Sequence, residues 1–372
     1  MSGAMNINDY LKWRGDLRIS PTRKFNAVDA MVLSRVSYLP FDRIQLTAGD
    51  ALEDVTQKML HLKREDFAWP DDYDFVRLVG ESRRFGLMRV SDFVKRNDPK
   101  MEKQFSAVTI HISPKEMFLS YFGTDGSLYG WKEDFNMVFM DTVPAQIEAA
   151  NYFRGLSRKY PWKRVRLGGH SKGGNVAMFA AVSAPDVRQH KIIQVYNFDG
   201  PGLSKKIAAL DDGMLSILPR IQSFIPQDSV IGRLMEHREK FEVVKSTAVD
   251  MYQHDIYSWE VGPEAPVKAT ATKKSEFIDK TITKWMESAT KEQREVFVKV
   301  AFEILEKSGA GNPIQAYEKW KSKLPAMIRS YREVPKEDRK VVVEVLRKLL
   351  EARKQASVEA ASSNLQSTNR KS

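Results

Sequence analysis

Val165-Arg-Leu-Gly-Gly169-His170-Ser171-Lys172-Gly173-Gly-Asn-Val-Ala-Met-Phe-Ala-Ala181 is the stretch that decides the fold. A short apolar run leads into Gly169-x-Ser171-x-Gly173, and an Ala-rich helical run follows. Strand, sharp turn and helix in that order form the setting of a nucleophile elbow. The turn is tight enough to force Ser171 into a strained backbone conformation with its hydroxyl projecting. A Cβ at 169 or 173 would collide with the neighbouring strand or helix, hence glycine at both positions. The helix that follows aims its positive N-terminal end at the site, where a developing oxyanion is stabilised.

Outward from this segment, short β-rich runs alternate with helical ones. Val108–Ile112 and Met117–Phe122 read as strands joined by Ser113-Pro114-Lys115. Val165–Leu167, Ile192–Phe198, Ile221–Ile225 and Phe241–Lys245 read as further strands. Val143–Lys159, Gly173–Ala184 and Ser229–His237 read as helices between them. This alternation predicts an α/β fold, a mostly parallel central sheet flanked by helices. Residues 25–60 read as helical, and 60–104 as a less regular, charged insertion. After Gly262-Pro263 the strands stop. Residues 273–288, 291–308, 314–332 and 336–354 keep apolar positions three and four apart, as in Phe297, Val300, Ala301, Ile304 and Leu305. The expected organisation is an N-terminal segment (1–24), an α/β-hydrolase domain (25–264), an all-helical C-terminal module (265–355) and a disordered polar tail (356–372).

Composition narrows the chemistry. The 372 residues include no cysteine, which excludes disulfides, cysteine nucleophiles and thiolate metal sites. The longest apolar run, Val176–Ala184, is about half a membrane span. Met1–Asp9 carries no secretory signal pattern, so a cytoplasmic location is expected. Lys and Arg exceed Asp and Glu by 11. The surplus permits an anionic membrane surface as partner, but the cations are mixed with acids and no nucleic-acid motif is present.

A serine hydroxyl needs a base, and the base an orienting carboxylate. In an α/β-hydrolase the acid and then the histidine follow the serine, each at the C-terminal end of a strand. His190, His237 and His254 follow Ser171. His190 and His237 precede strands, which is the wrong end of the sheet, so His254 is the expected base. Two carboxylates sit just past a strand, Asp199 and Asp228. Asp228 follows the second strand after the elbow, the usual position for the acid, and is the expected one. Asp199, beside Gly200-Pro201-Gly202, is the alternative. The oxyanion donors are expected from the N–H of Lys172 and from Thr124 in Gly123-Thr124-Asp125-Gly126. The Lys172 cation beside the nucleophile would favour an anionic substrate. A side chain that reaches solvent is the plainer reading.

Three blocks resemble the fungal-type class 3 lipases: Tyr121-Phe122-Gly123-Thr124, Gly130-Trp131-Lys-Glu-Asp134-Phe135 and Gly169-His170-Ser171-Lys172-Gly173-Gly174-Asn175. The sequence is more similar still to a lipase-like bacterial family of unassigned function. Ile225-Pro226-Gln227-Asp228-Ser229-Val230 and Tyr252-Gln253-His254-Asp255 fall where those families keep acid and base. The resemblance spans about residues 25–262. It implies an α/β-hydrolase fold, a Ser171–Asp228–His254 triad and Thr124 as oxyanion donor. It also implies His170 as a packing residue under the elbow and Asp134 as a brace for the oxyanion loop. Lys172 and Phe122 depart from the lipase pattern, which has an apolar or amide residue after the serine and Arg before Gly-Thr. The expected function is a serine carboxylesterase or lipase-like hydrolase acting on a small-molecule or lipid ester, with no metal or cofactor. The second class of function is a hydrolase-fold scaffold whose C-terminal helices bind a membrane surface or a protein.

Overall fold

The computed structural model describes residues 4–47, 49–138, 140–209, 211–309 and 319–369. The chain divides into two compact units, Met1–Thr124 with Thr142–Ala271, and Asp125–Asp141 with Thr272–Ser372.

The first unit is built on a seven-stranded sheet whose strands lie side by side in chain order. These are β1 (Arg89–Asp98), β2 (Lys103–Ser113), β3 (Glu116–Tyr121), β4 (Arg164–His170), β5 (Ile192–Phe198), β6 (Ile221–Pro226) and β7 (Phe241–Val244). β1, β2 and β3 pair antiparallel, and β3 to β7 pair parallel. The β2–β3 turn is tight because Ser113 Oγ accepts from the N–H groups of Lys115 and Glu116. Successive side chains of a strand point to opposite faces, and each face carries its own core. Phe118, Tyr196, Phe198 and Phe224 join helices α1 (Ile7–Arg14), α2 (Ala27–Val36), α3 (Leu52–Leu60) and α4 (Asp72–Glu81) on one side. Leu119, Tyr121, Leu167 and Val195 join α6 (Pro144–Lys159) and α7 (Lys172–Val182) on the other. Three short helices, α8 (Asp186–Gln189), α9 (Lys205–Ala208) and α10 (Asp211–Ile217), fill the connections between β4 and β6. The architecture is that of an α/β-hydrolase.

Several elements differ from the reading of the sequence. β1 lies inside the stretch read as a charged insertion. As the edge strand it keeps charged residues at both ends and a bulge between Ser91 and Val94, features that blunt an open edge and also hide the alternation. Ser229–His237 holds a single 3-10 turn at Ile231–Arg233 in place of the expected helix, because Ser229 Oγ draws the Gly232 N–H into a local turn. The described part of the expected N-terminal segment 1–24, residues 4–24, is not separate, since Ile7 and Tyr10 are fully buried in the first core.

The second unit joins α5 (Leu128–Met137) to α11 (Lys273–Ser288), α12 (Lys291–Lys307), α13 (Trp320–Glu333) and α14 (Lys336–Asn369). Leu128, Trp131 and Val138 pack on Val298 and Phe302 of α12, and Phe135 meets Phe302 edge to face at 5.3 Å. Val300 of α12, Val334 and Val342 of α14 form a second small cluster. The tail expected to be disordered continues α14 to Asn369. Its last residues, 370–372, and residues 314–318 of the third expected helix lie outside the described residues.

Candidate active site

Ser171 stands between β4 and α7 at φ 59° and ψ −132°, a left-handed backbone that a non-glycine residue adopts only when its surroundings impose it. They do so through the Ser171 N–H, which donates to Phe198 O at 2.9 Å and ties the turn to the end of β5. A Cβ on Gly173 would lie 2.2 Å from Tyr121 O, and one on Gly169 would lie 2.4 Å from the Gly173 carbonyl carbon. The elbow is therefore pressed against the end of β3. The loop leaving that strand lies on it too, since Gly123 has room for neither a Cβ against Tyr38 Oη nor one against His170 O. This puts the chain that carries Thr124 beside His170, the residue preceding Ser171.

Ser171 Oγ is 3.0 Å from His254 Nε2, and His254 Nδ1 is 2.6 Å from Asp199 Oδ2. A carboxylate only accepts, so the imidazole proton sits on Nδ1 and Nε2 is left to accept from the serine hydroxyl. Asp199 is 1% exposed and, like Ser171, has a positive φ, 51°. Its N–H donates to Phe224 O, and its Oδ1 accepts from Ser229 Oγ. Ser229 Oγ in turn accepts from the Gly232 N–H, which fixes the direction of its own proton. The Asp199 carboxylate is thus held by β5, β6 and the loop after β6 together.

Residues 79–303 match the family described as Mbeg1-like. The chain belongs to the Mbeg1-like family. None of the curated proteins compared with it matches. Among solved structures, this Mbeg1-like chain is similar to the native Rhizomucor miehei lipase propeptide complex, at 11% identity over 58% of this chain and 67% of that one, with a TM-score of 0.37. A lipase from Rhizopus microsporus var. chinensis is 13% identical over 68% of this chain and 84% of its own, with a TM-score of 0.37. Lipase II from Rhizopus niveus is 12% identical over 60% and 83%, with a TM-score of 0.35.

In this Mbeg1-like protein the carboxylate on the histidine is Asp199, not the expected Asp228. β5 neighbours β4 directly, so the residue after β5 faces the elbow, whereas Asp228 lies one strand further away. The Asp228 side chain turns to Gln253, accepting from its Nε2 at 3.1 Å while the Asp228 N–H donates to Gln253 Oε1 at 2.8 Å. Asp228 therefore clamps the residue next to His254. Asp255 is a local cap, accepting from the Tyr257 N–H, and burial pushes its carboxyl above the usual range.

His170 does more than fill space under the elbow. Its Nε2–H donates to His254 O at 2.7 Å, and its Nδ1 accepts from Tyr38 Oη at 3.2 Å. The two imidazole rings lie 4.6 Å apart. Burial first, then the charges of His254 and Arg35, hold His170 well below the ordinary imidazole range, so it stays neutral and keeps this orientation. Tyr38 is itself packed on Arg35, whose guanidinium lies 4.3 Å from the Tyr38 ring, 4.4 Å from Trp69 and 5.0 Å from Tyr257. Two 2.7 Å bonds to Asp72 hold that cation, and Tyr257 Oη also donates to Asp72. The cage joins α2, α4 and the loop that carries His254. None of Tyr38, Arg35, Asp72 or Ser229 was legible as part of the site, because their motif is a contact between distant elements.

Lys172 begins α7, and its side chain is buried, 3% exposed, with Nζ 3.4 Å from Gln104 Oε1. The expectation that it reaches solvent is overturned. Thr124 lies past the end of β3, and Asp134 lies on α5, in the second unit.

Proposed function

We propose that this Mbeg1-like protein is a serine hydrolase that cleaves carboxylic ester bonds through an acyl-enzyme. The single observation that carries the reading is the hydrogen-bonded series Ser171 Oγ, His254 Nε2, His254 Nδ1, Asp199 Oδ2. His254 takes the Ser171 proton as Oγ attacks the acyl carbon, and Asp199 stabilises the imidazolium that forms. The N–H of Lys172, at the positive end of α7, and Thr124 bind the tetrahedral oxyanion. His254 returns the proton to the departing alkoxide. Water, activated by the same imidazole, then releases the acyl group and restores Ser171. The substrate is a small-molecule or lipid ester. A scaffold without turnover gives no reason for a strained serine, a buried carboxylate and a neutral second histidine to converge on one imidazole.

A fluorophosphonate probe and a short p-nitrophenyl ester test the reading. Wild type is expected to be labelled once and to turn the ester over, and Ser171→Ala to do neither. Labelling that survives in Ser171→Ala sinks the assignment.

A further inference from the structure

We propose that the second unit docks on an anionic lipid bilayer surface through α13 and α14. This goes beyond the hydrolase reading and does not depend on it.

Residues 272–372 contain 22 Lys and Arg against 14 Asp and Glu, a surplus of 22 − 14 = 8 out of the chain's 11. On α13, Trp320, Leu324 and Ile328 are 50%, 41% and 44% exposed. Spaced by four residues, they make one apolar stripe along the helix. The helix also carries Lys321, Lys323, Arg329 and Arg332 against one acid, Glu333, which Lys307 holds at 3.2 Å. The inner side of α13 is already used, with Ser330 buried and Tyr331 packed on the cluster of Val300, Val334 and Val342.

The next helix repeats the pattern. α14 buries Val342, Val345, Ala352 and Ala356, spaced by three, seven and four residues along one side that forms its inner seam. Trp285 of α11 donates to Val345 O, and Gln293 of α12 donates to Glu344, so that seam faces α11 and α12. Val343, Leu346 and Leu350 form a second, exposed stripe, with exposed Lys340, Arg347, Arg353 and Lys354 around it. Single exposed apolar residues need no explanation. Two helices that each have a filled inner face and an outer apolar stripe set among cations match a surface-lying membrane helix. The aliphatic side chains and the indole would enter the headgroup boundary, while the cations meet lipid phosphates. No described helix is long and apolar enough to cross a membrane, so the geometry is that of a surface contact. A second copy of the chain fits poorly, because a two-fold interface would set the same cations against each other.

Flotation of the full chain with vesicles tests this. One set is pure phosphatidylcholine, the other equal parts phosphatidylcholine and phosphatidylserine. Wild type is expected to float with the anionic vesicles, to stay with the soluble fraction beside neutral ones, and to be released by salt. Removing two cations in Lys321→Gln/Arg329→Gln should weaken binding about thirtyfold, at about fivefold per cation. Leu324→Ser/Ile328→Ser should weaken it at least as much. These positions are solvent-facing, so an unchanged thermal midpoint verifies the fold. Equal binding to neutral vesicles, or variants that bind as wild type, would overturn the proposal. So would a duplex oligonucleotide that binds tighter than the vesicles and is indifferent to Leu324→Ser/Ile328→Ser. Ser171→Ala is expected to float as wild type does, which separates loss of docking from loss of hydrolysis.

Discussion

Exchanging one oxygen for nitrogen at Asp199 discriminates between the two carboxylates. Asp199 is buried and accepts two hydrogen bonds, from Ser229 Oγ on one oxygen and His254 Nδ1 on the other. In Asp199→Asn the amide oxygen keeps the serine bond, and the NH2 group is left facing the imidazole. His254 must then accept on Nδ1 and carry its proton on Nε2, where it points at Ser171 Oγ and cannot take a proton from it. A wrong tautomer of this kind costs about 10⁴-fold in kcat, or about 5.5 kcal/mol of barrier. Asp228→Asn keeps an acceptor for Gln253 Nε2, so its expected loss is under about threefold. Asp228→Ala gives up the bond from Gln253, about 1 kcal/mol, and should lose about fivefold. The assay is steady-state hydrolysis of a short p-nitrophenyl ester at neutral pH, with Ser171→Ala as the floor. The reasoning is refuted if Asp228→Asn falls to that floor while Asp199→Asn stays near wild type.

Gly173→Ala should destabilise the first unit by about 3 kcal/mol in urea unfolding, because its new methyl meets the backbone oxygen of Tyr121 at 2.2 Å with no flexible side chain to yield. Asp72→Ala strands the Arg35 guanidinium among three aromatic rings and should cost about 3–5 kcal/mol, read as a fall in the urea midpoint. His170 is neutral in the folded protein well below the pH at which the unfolded chain protonates it, so only the unfolded state gains a proton as pH falls. Stability from this residue is present above about pH 6.5 and should decline by about 1 kcal/mol between about pH 6 and pH 5, a slope that His170→Asn removes.

The elbow was legible because its chemistry leaves little freedom. A strand end, two glycines around a serine and a small-residue helix have few other uses. His254 was legible by elimination, since the other later histidines enter strands and do not leave them. The acid was not. Asp199 and Asp228 both follow a strand, and counting strands ranks them by chain order, whereas the selection is made by sheet order and by where a carboxylate turns. Asp199 has a left-handed backbone that aims it at the imidazole, while Asp228 has a nearer partner in Gln253. β1 escaped for a related reason, since an edge strand that protects itself with charge and a bulge erases the alternation by which strands are read. α5 escaped because its apolar face is matched to Val298 and Phe302, more than 150 residues further on.

That last pairing limits how the polypeptide can be divided. The backbone leaves the first unit after Thr124, contributes α5 to the other helices, returns at Thr142 and departs again after Ala271. Stopping translation at residue 271 would strand Leu128, Trp131, Phe135 and Val138 in water, a few residues from the threonine assigned to the oxyanion. A protease cut at the same point would sever the covalent link without freeing the helical bundle, which would stay fastened to the remainder by its grip on α5.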